Sequence, residues 1–434
     1  WVALIWIMII GSRSVSLWLG EGIAMEDLKS FEEGSPLDRN VFILLIIAGL
    51  LVLWTRRLSW SRMFGSNRWV FAFVLYGGIS ILWSDLPLVS FKRWTKELGN
   101  IVILLILLTE DNPAGALRAV FARYTYFAIP LSVVLIKYFP DYGRSYHRWT
   151  WETIYSGVAV EKNALGCIVL ICGIFLVWDF MQTRKFGKMT MSEFCSRAAL
   201  LLMGVWLMKK ANSSTALFCL VLGSAVLWVM QRPSARRQAR YLFLHALLAG
   251  FFAMMIYSLP GMFEDFVKIL GRDSTLTGRT EIWASLLKEP VNALLGKGYQ
   301  SFWVPAKRDA YLLNQAHNGY LEVYLNGGLL GVLTLLTLLL SATRNVKKEI
   351  LEESPLGSLR LALLVIALFY NWTEAMFGGI SLIWTGLLIS ALNHQPAEIP
   401  VAEEKYVLSP WVSTPVPEAR GGQGKAGKGG GQWI

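Results

Sequence analysis

The chain is short of charge. Charged residues make up 16% of its 434 positions and hydrophobic residues 54%. A water-soluble domain carries about 25% charge, so this composition excludes an ordinary soluble enzyme. It also excludes a disordered chain, which needs high charge and few apolar side chains. Cysteine is scarce: Cys167, Cys172, Cys195 and Cys219 lie in or beside apolar segments without CxxC spacing. That excludes a secreted disulfide scaffold and reads as buried thiols. The four histidines, His147, His245, His317 and His394, are too scattered for a metal cluster. Neither a cleavable signal peptide nor an internal repeat of the transporter kind is visible. The chain opens on Trp1 without an initiator Met, so it reads as a fragment or a trimmed chain whose residues 1–10 are the tail of a span.

Long apolar runs and aromatics are abundant. There are 19 Trp, 22 Phe and 15 Tyr, a load that suits interfacial belts. Apolar runs fall near 40–55, 69–83, 98–109, 118–138, 158–181, 197–209, 214–230, 241–259, 320–343, 359–377 and 379–393. A membrane crossing needs about 20 helical residues, so the shorter runs borrow from their flanks. The expected fold is all-α, a polytopic membrane protein with about 11–12 transmembrane helices. The net charge of +11 then reads as the positive-inside bias rather than as nucleic-acid binding.

Basic residues orient the spans. The loops with Arg56, Arg57, Arg62 and Arg68, with Arg184, Lys185 and Lys188, with Arg232, Arg236, Arg237 and Arg240, and with Arg344, Lys347 and Lys348 fall on one side by alternation. That side is expected to be cytoplasmic. The acidic loop 21–39 and segments 84–97, 139–157 and 260–319 fall on the other. Residues 260–319 form the longest non-apolar stretch between spans, and long loops in compact proteins are usually functional. The expected organisation is spans over 1–259, a catalytic outer loop over 260–319, spans over 320–393 and a disordered cytoplasmic tail over 394–434, rich in Pro and Gly.

Several polar residues stand out in or near the outer segments. Thr277 or Gly278 could cap a helix opening at Arg279, and a helix N-terminus with an arginine favours an anion. A salt bridge with Glu281 or another acid explains Arg279 equally well. His317, where the loop re-enters the membrane, suits general-base work; a backbone-bonded interfacial histidine is the plainer alternative. Lys162, four residues into its apolar run beside Asn163, lies at a depth where polar groups are costly. Lys92, Arg93, Lys209 and Lys210 also face outward and offer charge-assisted bonds to an anion, or snorkel to the interface. Trp283, Trp303, Tyr299 and Tyr311 suit sugar stacking or plain packing of the loop.

Taken in order, these stretches resemble the O-antigen ligase/polymerase superfamily of bacterial envelope glycan transferases, and most closely its exopolysaccharide-polymerisation branch. The resemblance rests on Gly271 to Trp283, Leu295-Gly296-Lys297-Gly298 and His317-Asn318-Gly319-Tyr320-Leu321. Trp83-Ser84-Asp85-Leu86-Pro87, Glu161-Lys162-Asn163-Ala164-Leu165-Gly166 and Ser213-Ser214-Thr215 support it, with Glu161 where related sequences often carry His. It covers about 83–335. The resemblance implies a GT-C-like glycosyltransferase of the bacterial inner membrane, multi-pass, with a periplasmic large loop and a cytoplasmic C-terminus. It implies a donor glycan on undecaprenyl pyrophosphate, an acceptor glycan or lipid, membrane lipids and other polysaccharide assembly proteins as partners, and no nucleic acid, cofactor or metal. Arg279 and His317 become the expected catalytic pair. Arg93, Lys92, Lys162, Asn163, Lys209, Lys210, Trp283, Asn318 and Tyr320 become expected contacts to pyrophosphate or glycan. Polymerisation of repeat units is the expected reaction. A ligase acting on lipid A-core or protein, a lipid-linked glycan transporter, and a non-catalytic scaffold are the alternatives.

Overall fold

The computed structural model describes residues 1–20, 34–56, 58–146, 151–187, 189–241 and 279–393. The expected span beyond Tyr241, the motif residues Gly271–Gly278, most of the acidic loop 21–39, the tail 394–434, and His147, His245 and His394 lie outside the described residues.

Helices and the turns that join them make up the described chain, apart from one short antiparallel hairpin, β1 (Arg144–Tyr146) and β2 (Thr153–Tyr155). The main helices in its first half are α1 (Val2–Ile10), α2 (Pro36–Thr55), α3 (Arg68–Ile79), α4 (Pro87–Leu108) and α5 (Pro113–Tyr138). Next come α6 (Lys162–Phe186), α7 (Met191–Ala211) and α8 (Ser214–Val229). Residues 279–318 contribute α9 (Arg279–Leu286) and α10 (Pro305–Tyr311), and α11 (Gly319–Leu351), α12 (Gly357–Tyr370) and α13 (Leu382–Ala391) close the bundle. Among the described residues, α2, α5, α6, α7 and α11 are long and apolar enough to cross a membrane. A sixth crossing arises if α8 is joined to Pro233–Tyr241 across a 100° bend. The chain is an all-α polytopic membrane protein.

Local chemistry explains the helix starts. Proline stands in the first turn of α2, α4, α5 and α10, where its missing N–H costs nothing. Thr190 and Glu193 form a reciprocal capping box at α7. Large apolar side chains on α2 and α7, such as Leu44, Leu51, Leu202 and Val205, point outward, as a hydrocarbon solvent permits. Inside, the Trp6 indole donates to Asn100 Oδ1 at 3.2 Å, and Asn100 Nδ2 donates to Thr385 at 3.1 Å. This thread ties α1, α4 and α13 through the apolar core.

The two ends of the bundle differ. At one end Asp179 accepts from Arg118 and, at 2.8 Å, from Arg197, joining α5, α6 and α7. Asn67 also donates to Asn393 O there at 3.0 Å. At the other end Arg13 reaches Tyr142 O and Ala159 O, Arg93 Nη1 reaches Gln300 O at 2.5 Å, and the loop helices α9 and α10 pack.

Two sequence expectations change here. The run 359–377 is not one span: α12 stops at Tyr370, and 371–381 is an irregular link. Asn371 turns the chain by donating to Ala367 O at 2.8 Å and accepting from Met376 N at 2.7 Å. Gly378 and Gly379, with φ of 87° and 74°, complete the turn. Lys162, expected four residues inside a span, is instead the first residue of α6, after an extended Glu161.

The loop that precedes α11 is stitched into it. That helix breaks at Gly328, whose φ of 59° and ψ of −159° lie in a region open essentially to glycine. Leu329 N and Leu330 N donate to Ala293 O and Leu294 O at 2.8 and 3.2 Å. In return Lys297 N and Gly298 N donate to Leu325 O and Asn326 O at 3.0 and 2.8 Å. The Tyr76 hydroxyl covers Gly327 O at 2.5 Å, and the Trp83 indole covers Leu295 O at 3.2 Å. Backbone groups freed by the break are thus satisfied inside the protein. A Cβ at Gly328 would sit 2.4 Å from the Leu294 carbonyl carbon.

Gly328→Ala is therefore expected to destabilise by about 1–3 kcal/mol or more, read as a lower thermal midpoint and faster proteolysis within 292–301. A second expectation concerns α10. Glu289 accepts from Tyr311 at 2.7 Å and pairs with Lys307 at 3.0 Å, and these partners hold its carboxyl below the ordinary range. A lowered folded-state value stabilises above the unfolded carboxylate value, about 4.3, and that contribution vanishes as pH falls through the folded value. Glu289→Gln should reduce hydrogen-exchange protection of 305–311 at pH 7 and flatten its decline in acid.

Candidate active site

The loop helices enclose a small apolar core of Leu286, Phe302, Trp303, Ala316 and Leu325. This core anchors the peptide before His317. Ala316 N donates to Glu322 at 2.8 Å, while Ala316 O accepts from the Trp283 indole at 2.8 Å. Glu322 also accepts from the Trp303 indole, at 2.9 and 3.1 Å, and from Asn326 at 3.0 Å. The peptides on either side of Ala316 are thereby fixed. His317 follows with φ 49°, an uncommon backbone for a non-glycine residue. Asn318 then caps α11 by accepting from Tyr320 N and Leu321 N, each at 3.0 Å.

The facing wall is the link after α12. Gly319 N donates to Asn371 O at 2.8 Å, and Ala375 N donates to Gln315 at 3.2 Å. Between these contacts stands Glu374, 3% exposed. One of its oxygens lies 3.1 Å from His317 Nδ1. The other accepts from Arg279 Nη2 at 3.2 Å and makes a longer contact of 3.4 Å with Asn163 Nδ2. Arg279 Nη1 also donates to Thr373 O, and the Thr373 hydroxyl meets Thr215 at 2.7 Å. One buried carboxylate thus gathers residues from α6, α9, the 315–318 turn and the α12–α13 link. Arg279 pairs with Glu374 rather than with Glu281.

Glu161, just before α6, belongs to the same neighbourhood. Partial burial and the charge of Glu374 raise its carboxyl, and His317 and Lys162 oppose that shift. Both Glu374 oxygens are already engaged. Among the described residues no group of three or more His, Cys, Asp or Glu is arranged to hold a metal ion.

The remaining expected contacts lie around this centre in separate groups. Arg93 and Lys92 stand on α4, with Arg93 bonded to Gln300 O. Beside them the Tyr299 hydroxyl donates to the buried Glu97. Lys210 lies over the Tyr155 ring at 4.5 Å and near Trp206 at 5.8 Å, while Lys209 is exposed. Lys162 is exposed at the start of α6. Tyr320 donates to Leu368 O at 3.0 Å and sets its ring edge-on to Phe377. The indoles of Trp283 and Trp303 are committed to Ala316 and Glu322, and the Tyr311 hydroxyl to Glu289.

Glu374, the hub, was not among the residues read from the sequence, and neither was its neighbour Thr373. A signal was present: Glu374 is the only acidic residue in the apolar stretch 359–393. An ionisable group at such depth is functional by default.

The comparisons with known proteins point to the same region. Residues 197–336 match the family model described as O-antigen ligase. This stretch is thus similar to the O-antigen ligase family. It includes Arg279, His317, the 295–298 turn and the break at Gly328. The chain is also 27% identical over 309 residues to the exopolysaccharide production protein ExoQ of Rhizobium meliloti (strain 1021), covering 67% of each chain. The resemblance read from the motifs is thereby borne out, including its exopolysaccharide side.

Charge coupling at the hub is measurable. Arg279→Ala and Glu374→Ala should each lower the thermal midpoint in detergent. The double variant should fall short of their sum, with a coupling of about 1–3 kcal/mol. Strict additivity would mean that the pair does not act as a unit.

Proposed function

We propose that this chain is a membrane glycosyltransferase that polymerises glycan repeat units carried on undecaprenyl pyrophosphate, working at the outer face of the bacterial inner membrane. The carrying observation is the placement of Arg279 and His317 on opposite oxygens of one buried carboxylate, Glu374. An ionised carboxylate only accepts hydrogen bonds. His317 therefore places its proton on Nδ1 and leaves the Nε2 lone pair for a substrate proton, a tautomer fixed by the network.

The chemistry follows from that asymmetry. An acceptor hydroxyl gives its proton to His317 Nε2 as its oxygen attacks the anomeric carbon. The bond from that carbon to the diphosphate oxygen breaks with inversion, and the electron pair leaves with the lipid diphosphate. Arg279, held by Glu374 and Thr373 O, meets the charge that develops on the departing diphosphate. Lys162, exposed at the start of α6, and Arg93 and Lys92 on α4 extend the positive field along the outer end. Glu374 orients both groups and stabilises the imidazolium that forms, as a carboxylate behind a catalytic histidine does elsewhere.

A second reading has a specific observation in its favour: the matched family model is described as O-antigen ligase. A ligase would share the donor chemistry and differ in its acceptor, taking lipid A-core or protein in place of a second repeat unit.

Purified wild type, His317→Ala and Glu374→Gln, incubated with undecaprenyl-pyrophosphate-linked repeat units, separate these readings. A glycan ladder from wild type without a further acceptor, with rates reduced about 10²–10⁴-fold in the His317 variant, is the expected result. His317-dependent transfer only after lipid A-core or protein is added would instead select the ligase. Transfer at wild-type rate in both variants would overturn the catalytic assignment.

A further inference from the structure

A polar cavity lies away from Glu374, between α1, α2 and α4, where the α12–α13 link ends. Its volume is about 260 Å³, near the lower end of small-molecule sites. Ile9, Ile10, Phe42 and Ile380 form an apolar wall. Four polar side chains, Ser12, Ser14, Asp38 and Lys96, complete the lining.

The hydrogen-bond inventory of those groups is asymmetric. Asp38 receives Ser16 N at 3.0 Å and the Ser16 hydroxyl at 2.6 Å. With the Ser16 proton on Asp38, the Ser14 hydroxyl spends its own on Ser16 at 3.0 Å. Ser12 donates to Met8 O at 2.6 Å and accepts from the Trp18 indole at 3.3 Å, which leaves it one lone pair. The hydroxyls of Ser12 and Ser14 therefore offer lone pairs, as does the rest of the Asp38 carboxylate. Lys96 is the opposite case. Its ammonium sits 5.1 Å from the Phe42 ring centre and makes no hydrogen bond or ion pair among the described residues. Asp38, Arg93 and Lys92 lie within Coulombic reach of it. One side of the cavity thus asks for N–H donors, the other for an anion, and the wall between them is apolar.

We propose that this cavity binds a phosphoethanolamine group, with its ammonium on Asp38, Ser12 and Ser14 and its phosphate on Lys96. A neutral sugar would leave Lys96 unanswered, and a simple anion would face the Asp38 carboxylate. Membrane phospholipid is one source of the group and a soluble glycerophosphodiester is the other. The site is independent of the transfer chemistry assigned to Arg279 and His317.

The test uses the full chain in nanodiscs of equal parts phosphatidylethanolamine, phosphatidylglycerol and phosphatidylcholine, followed by detergent exchange and mass spectrometry of retained lipid. Wild type should retain phosphatidylethanolamine about tenfold over the other two, the value of a charge-assisted hydrogen bond. The quaternary ammonium of phosphatidylcholine has no N–H to give, and phosphatidylglycerol has no ammonium. Asp38→Asn should level phosphatidylethanolamine with phosphatidylcholine. Because Asp38 also holds Ser16, Ile380→Trp provides a variant that fills the cavity and leaves those bonds in place; it should lose the retained lipid with helix content unchanged. Displacement by added glycerophosphoethanolamine would assign the site to the free headgroup, and no displacement to the membrane lipid. Equal retention of all three lipids by wild type, or an unchanged preference in both variants, would overturn the proposal.

Discussion

The candidate site depends on a single buried carboxylate. Glu374 is buried, and a charge in that position persists only with partners. Arg279 supplies the compensating charge, while His317 and Asn163 supply further contacts. Each partner comes from a different stretch of chain, so the carboxylate serves as a clasp between the 279–318 loop, α6 and the C-terminal helices. Loss of Arg279 alone would leave an uncompensated charge inside the protein. Stability and the proposed chemistry at this point rest on the same set of contacts.

The supporting shell is as specific as the clasp. His317 adopts a left-handed backbone that isolated histidine would leave. It is retained because Glu322 and Trp283 hold the two peptides that flank Ala316, and because Gly319 sits against Asn371. A Cβ at Gly319 would fall 2.1 Å from Asn371 Oδ1, so the approach requires glycine. Aromatic residues that look suited to sugar stacking are in large part occupied here. Their indole and phenol groups answer buried acceptors, as such groups usually must.

Much of the fold was legible because membrane spans obey one strong rule, the internal satisfaction of backbone groups over about 20 residues. The apolar runs at 40–55, 118–138, 197–209 and 320–343 each correspond to a helix, extended at its ends by capping and flanking residues. The run 359–377 misled because hydropathy cannot see a turn made by a side chain. Asn371 ends the helix through its own amide, and the next residues remain apolar enough to look continuous. Glu374 was hidden by the same averaging. Arg279 and His317 were visible as motif residues, but their joint partner was not. Pairing across 57 and 95 positions has no local signature in a single chain.

The exchange between 293–298 and 325–330 has a consequence for transplantation between relatives. A long loop joining two spans looks like a cassette that could be moved whole into another scaffold. Here its backbone replaces the missing rungs of a broken helix, and Tyr76 and Trp83 from α3 and the turn after it close the joint. A chimera that carried the loop alone would bring four backbone groups without their counterparts and leave four behind. The unit that can move intact is the loop with the first turns of α11 that follow it directly, together with the end of α3 and the turn after it, two pieces separated in sequence.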